Sequence, residues 1–230
     1  MAAPPAAPPA NASRFCVLSF NVMMDTYYKD KPFAYLNGVQ DDVVFLAEVN
    51  DVWLDGIAKL RSNYPYRVEV PRGDYYGVAL YSRFPIVASE IITEPASLPT
   101  ISATVRIDGR EVNIVGTHPL APITKWGTRT RDAQLRLLSH RLAGASMPTL
   151  LLGDFNTSPW SAVFADVTTA AGLRDSALGR GVQFTWPTNV LWLRTSIDHI
   201  LVSREFAVTQ TAVGPAVGSD HYPIRACLAF

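Results

Sequence analysis

The sequence predicts a layered fold of the α/β or α+β class, and three observations carry that prediction. Short runs rich in Val, Ile, Leu and Tyr, cut by Gly, Pro, Asp or Asn, recur along almost the whole chain. Segments with helical periodicity are few and fall between them. With 48% apolar and 17% charged residues the chain is too hydrophobic to be disordered, and a chain of this size buries roughly 70% of its unfolded surface.

In chain order, the opening MAAPPAAPPANAS has four prolines in its first ten residues, no basic stretch and no continuous apolar run. It predicts a disordered Pro/Ala-rich tail over 1–14 and not a signal peptide. No Gly/Ser or Pro-rich linker follows, so 15–230 is expected to be a single domain. Strands are predicted at Phe15–Asn21, Val43–Glu48, Tyr66–Val70, Gly77–Ser82 and Ile86–Ile92. A hairpin follows, Ile101–Ile107 and Glu111–Thr117, turning at Asp108-Gly109. Further strands are predicted at Thr149–Gly153, Ile197–Val202, Phe206–Val213 and Pro223–Leu228. The clearest helix is Arg129–Leu142, where Leu135, Leu138 and Leu142 share one face. Asp51–Leu60 and Ser161–Ala171 are weaker helices, with Asp51 and Ser161 as N-caps. The apolar runs Val43–Ala47 and Leu150–Leu152 are strand-sized, far short of the roughly 18 residues that cross a bilayer. Cys16 and Cys227, each in a predicted strand at opposite ends of the chain, suit two buried free thiols.

Lys+Arg 20 against Asp+Glu 20 excludes a binder that works by a global positive field. Polar residues instead collect at strand ends: Asn21, Glu48, Thr117-His118, Gly153-Asp154-Phe155-Asn156, Asp198-His199 and Ser219-Asp220-His221. Singly, Asn21 reads more readily as a turn residue, and Asp198-His199 has a cap or a satisfied core pair as its alternative. Jointly they predict one carboxylate-rich, histidine-rich cleft, because three of the four histidines directly follow a strand-end Thr or Asp. His140, the fourth, lies on the basic helix and is expected to be a bystander.

In order, Leu18-Ser19-Phe20-Asn21, Glu48, Gly77 to Pro85, Gly116-Thr117-His118, Gly153-Asp154-Phe155-Asn156, Ile197-Asp198-His199 and Gly218 to Pro223 resemble the signature segments of the endonuclease/exonuclease/phosphatase superfamily, the DNase I-like fold. GDFN and SDHYP carry the specificity. The resemblance implies a four-layered α/β sandwich of two packed, mostly antiparallel sheets flanked by helices. It also implies attack of water on a phosphoester with help from Mg²⁺ or Mn²⁺, hard cations suited to oxygen ligands. On that pattern Glu48 holds the metal, assisted by Asn21 and Asp220. Asp154 orients and deprotonates the water beside Asn156. His221, held by Asp198, contacts the phosphoryl oxygens or serves as acid/base, and His118 stabilises the developing charge or protonates the leaving group. Whether Asp154 or His221 is the base stays open, since that assignment needs geometry. Ala47 stands where many relatives have Gln, and Met23 where several nucleases have a further Asp, which favours one metal over two.

Gly172-Leu173-Arg174-Asp175, Thr185-Trp186-Pro187 and Ile197-Asp198-His199 are similar to YafD-like and vancomycin/teicoplanin-resistance-associated bacterial members. Those often carry membrane segments, so a secreted, periplasmic or membrane-associated setting is implied over a cytoplasmic one. The implied substrate is a phosphoester, DNA first, with a phospholipid or isoprenyl pyrophosphate as the alternative, handled by a monomer. Lys125, Arg129, Arg131, Arg136 and Arg141 against Asp132 make a basic stretch that serves equally as phosphate contact or solvated helix face. Arg129, Arg131 and Trp126, which could stack a base, are the candidate substrate contacts. Val190–Leu193, with Trp192, is expected to be a buried loop, with lipid or partner contact as the alternative. A catalytically inactive binding domain on the same scaffold is the competing class. It has no need for Glu48, Asp154, Asn156, Asp198, Asp220, His118 and His221 together.

Overall fold

Two six-stranded sheets stack face to face with helices on both outer faces, in a computed structural model that describes residues 12–230. The first sheet runs β11 (Ala207–Val213), β12 (Ile224–Ala229), β1 (Arg14–Asn21), β2 (Val43–Ala47), β4 (Val78–Ser82), β3 (Tyr66–Val70). The second runs β5 (Ile86–Ile92), β6 (Thr100–Ile107), β7 (Arg110–Thr117), β8 (Thr149–Asp154), β10 (Asp198–Val202), β9 (Arg174–Asp175). Neighbours are antiparallel except β1–β2 and β7–β8, one parallel pair at the centre of each sheet. Each of these pairs is joined by a helix-bearing crossover, as parallel strands require. The helices are α1 (Asp30–Asn37), α2 (Asp51–Gly56), α3 (Ala58–Asn63), α4 (Lys125–Leu142) and α5 (Ala162–Ala171).

The four layers follow from strands that are apolar on both faces. Val17, Val43 and Phe45 point into the core between the sheets, while Leu18, Val44 and Leu46 point outward onto Leu36, Trp53, Ile57 and Leu60 of the first helical layer. In β8, Leu150 and Leu152 face the inter-sheet core and Leu151 faces Leu135, Leu138 and Phe164. Alternation of side chains along a strand thus yields continuous apolar runs wherever both faces are covered.

Most predicted elements appear within a residue or two of their expected ends, and several differences have physical causes. The Asp51–Leu60 helix is two helices that meet at Ile57. Gly56 leaves no room for a side chain, because an added Cβ would stand 2.1 Å from the Phe33 ring. The cap is Asn50, not Asp51, and its side chain accepts the Trp53 N–H at 3.1 Å. Ser161 caps α5 as expected. Helix α1 and strand β9 had no clear periodic signal. The proposed tail falls mostly outside the described residues, and Arg14 belongs to β1, paired with Ala229.

Two further expectations are overturned. Cys16 and Cys227 form a disulfide, because β12 returns antiparallel alongside β1 and sets them directly opposite, with Cα atoms 4.0 Å apart. Cys16 turns its own backbone toward Asp42, donating to Oδ2 at 2.8 Å and accepting the Asp42 N–H at 2.9 Å. That places the pair at a non-hydrogen-bonded position, where facing side chains come closest. Val190–Leu193 is not a buried loop: Leu191, Trp192 and Leu193 form a short 3₁₀ turn with exposures of 67%, 85% and 61%. Among the described residues no helix is long and apolar enough to cross a membrane.

Candidate active site

The carboxy ends of the two parallel pairs open onto the same edge of the sandwich. β1 ends in Asn21, β2 runs into Glu48, β7 into His118, and β8 ends in Asp154. β10 is antiparallel to β8 and starts there, with Asp198 opposite Asp154. β12 is antiparallel to β1, so the Ser219-Asp220-His221 loop that precedes it arrives at the same edge. Strand direction therefore gathers residues from six segments into a cleft of about 600 Å³. Glu48, His118, Asp154, Asn156, Asp220 and His221 line it, as the sequence predicts.

Hydrogen bonds tie these groups across the gap between the sheets. The Asn21 side-chain amide donates to Glu48 Oε1 at 2.9 Å and to Asp154 Oδ2 at 3.1 Å. Glu48 Oε2 accepts the Met24 N–H at 3.0 Å, and the residue is held at φ +64°, turned out of the strand into the cleft. Asp154 Oδ1 accepts the Asn156 N–H at 2.8 Å, and the Asn156 side chain donates to the Pro119 carbonyl at 3.1 Å. Asp154 Oδ2 lies 3.5 Å from His118 Nε2 and 3.6 Å from His221 Nε2. Behind His221, Nδ1 lies 2.9 Å from Asp198 Oδ2, and both residues are buried. Burial pulls the His221 pKa down, yet the charges of Asp198 and Asp154, the bond to Asp198 and the charge of Asp220 outweigh it and push the value up to about 10. The carboxylates around His221 thus favour its protonated form.

Supporting contacts fix these positions. Ser219 Oγ donates to the Asn21 carbonyl at 2.7 Å and accepts the His221 N–H at 3.0 Å. Thr185 Oγ1 accepts the N–H groups of Ile197 and Asp198 at 3.2 and 3.3 Å. Asp220 Oδ2 accepts the Trp186 indole N–H at 2.9 Å. Tyr76 lies over His118, ring centres 5.4 Å apart. Tyr75, Tyr76, Ile123 and Trp186 also line the cleft. Sequence reasoning did not single out the tyrosines, although Tyr75-Tyr76 just before a strand that starts near the site was a usable signal.

The basic helix contributes less than its composition suggests. Arg131 is buried, donating to Asp132 and, at 2.8 Å, to the Asn156 carbonyl, so it braces the Asp154–Asn156 turn from behind. Arg136 pairs with Asp166 and Arg141 with Glu90. Arg129 and Trp126 are exposed on α4 and do not line the cleft. His140 is exposed, as expected of a bystander. His199 is internal, bonded to Asp175 at 3.1 Å and to the Thr157 carbonyl at 3.0 Å, between Phe155 and Phe164.

The donor set suits a hard divalent cation. Each Glu48 oxygen accepts one hydrogen bond, which leaves lone pairs free toward the cleft. Asp154, Asp198 and His221 also place ligand-capable atoms within 4.8 Å of one another. His221 Nδ1 and Asp198 Oδ2 are already bonded to each other, so that trio reads as a hydrogen-bonded network and Glu48 as the cation-facing carboxylate.

A sandwich with two parallel pairs aimed at one edge, and carboxylates and imidazoles converging there, defines a phosphoester hydrolase of the DNase I-like class. The chain belongs to the Endonuclease/Exonuclease/phosphatase family, whose model matches residues 18–221. The humanized D. rerio TDP2 with 14 mutations is similar at TM-score 0.78 and 22% identity, covering 94% of this chain and 98% of that one. D. rerio TDP2 complexed with single strand DNA product is similar at TM-score 0.78 and 21% identity, covering 94% and 99%. A family protein from Bacteroides thetaiotaomicron gives TM-score 0.75 and 19% identity over 96% and 99%. These likenesses establish the fold. No curated protein matches the chain in sequence.

Proposed function

We propose that the protein is a Mg²⁺- or Mn²⁺-dependent phosphodiesterase that hydrolyses DNA. The observation that supports it best is the convergence of Glu48, Asp154, Asn156, Asp220, His118 and His221 on one cleft, with Asp198 holding His221 from behind. Glu48, with Asn21 at its side and Asp220 on the cleft wall, would hold the cation, which supplies charge neutralisation at the phosphoryl oxygens. Asp154, fixed by Asn21 and the Asn156 N–H, orients the attacking water and takes its proton. His221, held by Asp198 and favoured in its protonated form by the surrounding carboxylates, donates a hydrogen bond to the phosphoryl group. His118, 3.5 Å from Asp154, would stabilise the developing charge or protonate the leaving oxygen. The DNA complex of the D. rerio TDP2 supports a nucleic-acid substrate by analogy. The Cys16–Cys227 disulfide supports work in an oxidising compartment, secreted or periplasmic. Monomeric action fits a site built from one chain.

Phospholipid or isoprenyl pyrophosphate is the second reading, favoured by the exposed Leu191-Trp192-Leu193 turn a few residues from Thr195 in the cleft wall. A panel of plasmid DNA, single-stranded DNA, RNA, a sphingomyelin-type lipid and an isoprenyl pyrophosphate, each with Mg²⁺, Mn²⁺ or EDTA, separates the two. The expected result is DNA cleavage that stops in EDTA and declines with salt. Lipid cleavage with DNA intact would move the assignment to the second reading. Full activity of Asp154→Ala and His221→Ala would overturn the site.

A further inference from the structure

A second cavity of about 430 Å³ adjoins the cleft on the far side of the segment that enters β10. The dividing wall is extended chain, and its side chains alternate. Thr195 and Ile197 line the cleft, while Ser196 and Asp198 line the second cavity. Asp198 therefore stands between the two, holding His221 with Oδ2. Its Oδ1 is buried without a hydrogen-bond partner among the described residues, in a residue only 3% exposed. A buried carboxylate oxygen left in that state is costly and calls for a donor.

The remaining lining narrows what could supply it. Trp160, Leu178 and Val182 line the cavity while staying 67%, 71% and 52% exposed, so they form an apolar, partly aromatic rim. Phe164 closes the wall beneath them. Among the described residues no lysine or arginine lines it, and its other carboxylate, Asp175, is occupied by His199 and the Ala177 N–H. Such a site repels phosphate and accepts a flat ring that carries an N–H donor. The volume lies within the range of small-molecule sites.

We propose that this cavity is a subsite for an unpaired nucleobase beside the scissile phosphate. The ring stacks on Trp160, and its exocyclic amine donates to Asp198 Oδ1 once that buried oxygen turns slightly toward the cavity. Occupancy then completes the hydrogen bonds of the residue that holds His221, which couples recognition of the base to the reacting centre. Adenine, cytosine and guanine carry an exocyclic amine and thymine only a ring N–H set between two carbonyls, so the subsite discriminates among bases. This proposal deepens the DNA reading above and rests on it.

Two measurements test it, and they fail separately from that reading. The first is cleavage of single-stranded oligonucleotides that carry adenine or an abasic residue at the position next to the cut, in whichever of Mg²⁺ or Mn²⁺ supports the reaction. Stacking of one base predicts that the abasic residue lowers kcat/KM about tenfold in the wild type. In Trp160→Ala the ratio between the two substrates shrinks toward unity, a readout that general damage to the fold does not produce. Leu178→Glu, at an exposed rim position, should reduce the ratio in the same way. An unchanged ratio in both variants, or no abasic penalty in the wild type, overturns the subsite while DNA cleavage itself stands. The second is a ligand-observed NMR titration of the metal-free protein with 2′-deoxyadenosine and with its analogue lacking the exocyclic amine. Binding that weakens several-fold for the analogue and is lost in Trp160→Ala supports the subsite even if no oligonucleotide is cleaved, in which case the DNA reading alone falls. Equal binding of the two nucleosides, or none, overturns the subsite.

Discussion

His221 sits where burial and charge compete, and the outcome sets its role. Desolvation works against the imidazolium, but two carboxylates within 2.9 and 3.6 Å of its nitrogens prevail. A group whose pKa rises from 6.5 to about 10 on folding contributes stability that is fully present below pH 6.5 and is lost as pH climbs toward 10. In EDTA, the stability gap between wild type and His221→Gln, measured by urea unfolding, should therefore be full at pH 6.5 and narrow steadily as pH rises toward 10. A gap that widens with pH would show that His221 is neutral in the native state. At this scale the sequence was legible where chemistry coincides with a strand end, as at Asn21, Glu48, Asp154 and His221. It was not legible for pairs such as Trp186–Asp220 and Tyr76–His118, whose members lie in separate segments and meet only through the topology.

Among the elements, β2, β7 and β8 meet at one tight point under the site. The fully buried Phe45 of β2 projects across the core onto β7 and β8, and a Cβ at Gly116 would lie 2.3 Å from its ring. Gly153, at φ +138°, brings its backbone so near the Thr117 carbonyl that a Cβ would stand 1.9 Å away. Both glycines are read in sequence as parts of GTH and GDFN, motifs usually valued for their polar members. Here they let two sheets and a parallel pair close up beneath the cleft. Gly116→Ala should cost about 1–3 kcal/mol through overpacking, as Phe45 has no free space to move into, and a thermal or urea melt reads it directly. A change within a few tenths of a kcal/mol would mean that the sheets separate there easily. Strand positions were foreseeable because both faces are apolar, whereas the need for a glycine at position 56 is held in the distant Phe33 ring.

For the molecule as a whole, the disulfide joins residues 211 apart in sequence. Closing so long a loop restricts the unfolded chain, and the chain-entropy argument puts the stabilisation at roughly 5 kcal/mol. The double variant Cys16→Ser, Cys227→Ser should unfold at clearly lower urea concentration than the oxidised wild type and match the reduced wild type. If oxidised and reduced wild type unfold together, the bond contributes nothing to the resting fold. The pairing was hidden in the sequence because register between the first and last strands is a property of the closed sheet. One further consequence concerns Asn21, whose single amide touches carboxylates belonging to opposite sheets. A slight parting of the sandwich would leave every strand intact and invisible to far-ultraviolet circular dichroism, yet it would pull Asp154 away from Glu48. Turnover should thus vanish before secondary structure does, and enzymatic rate becomes a finer gauge of sheet docking than any spectrum of the backbone.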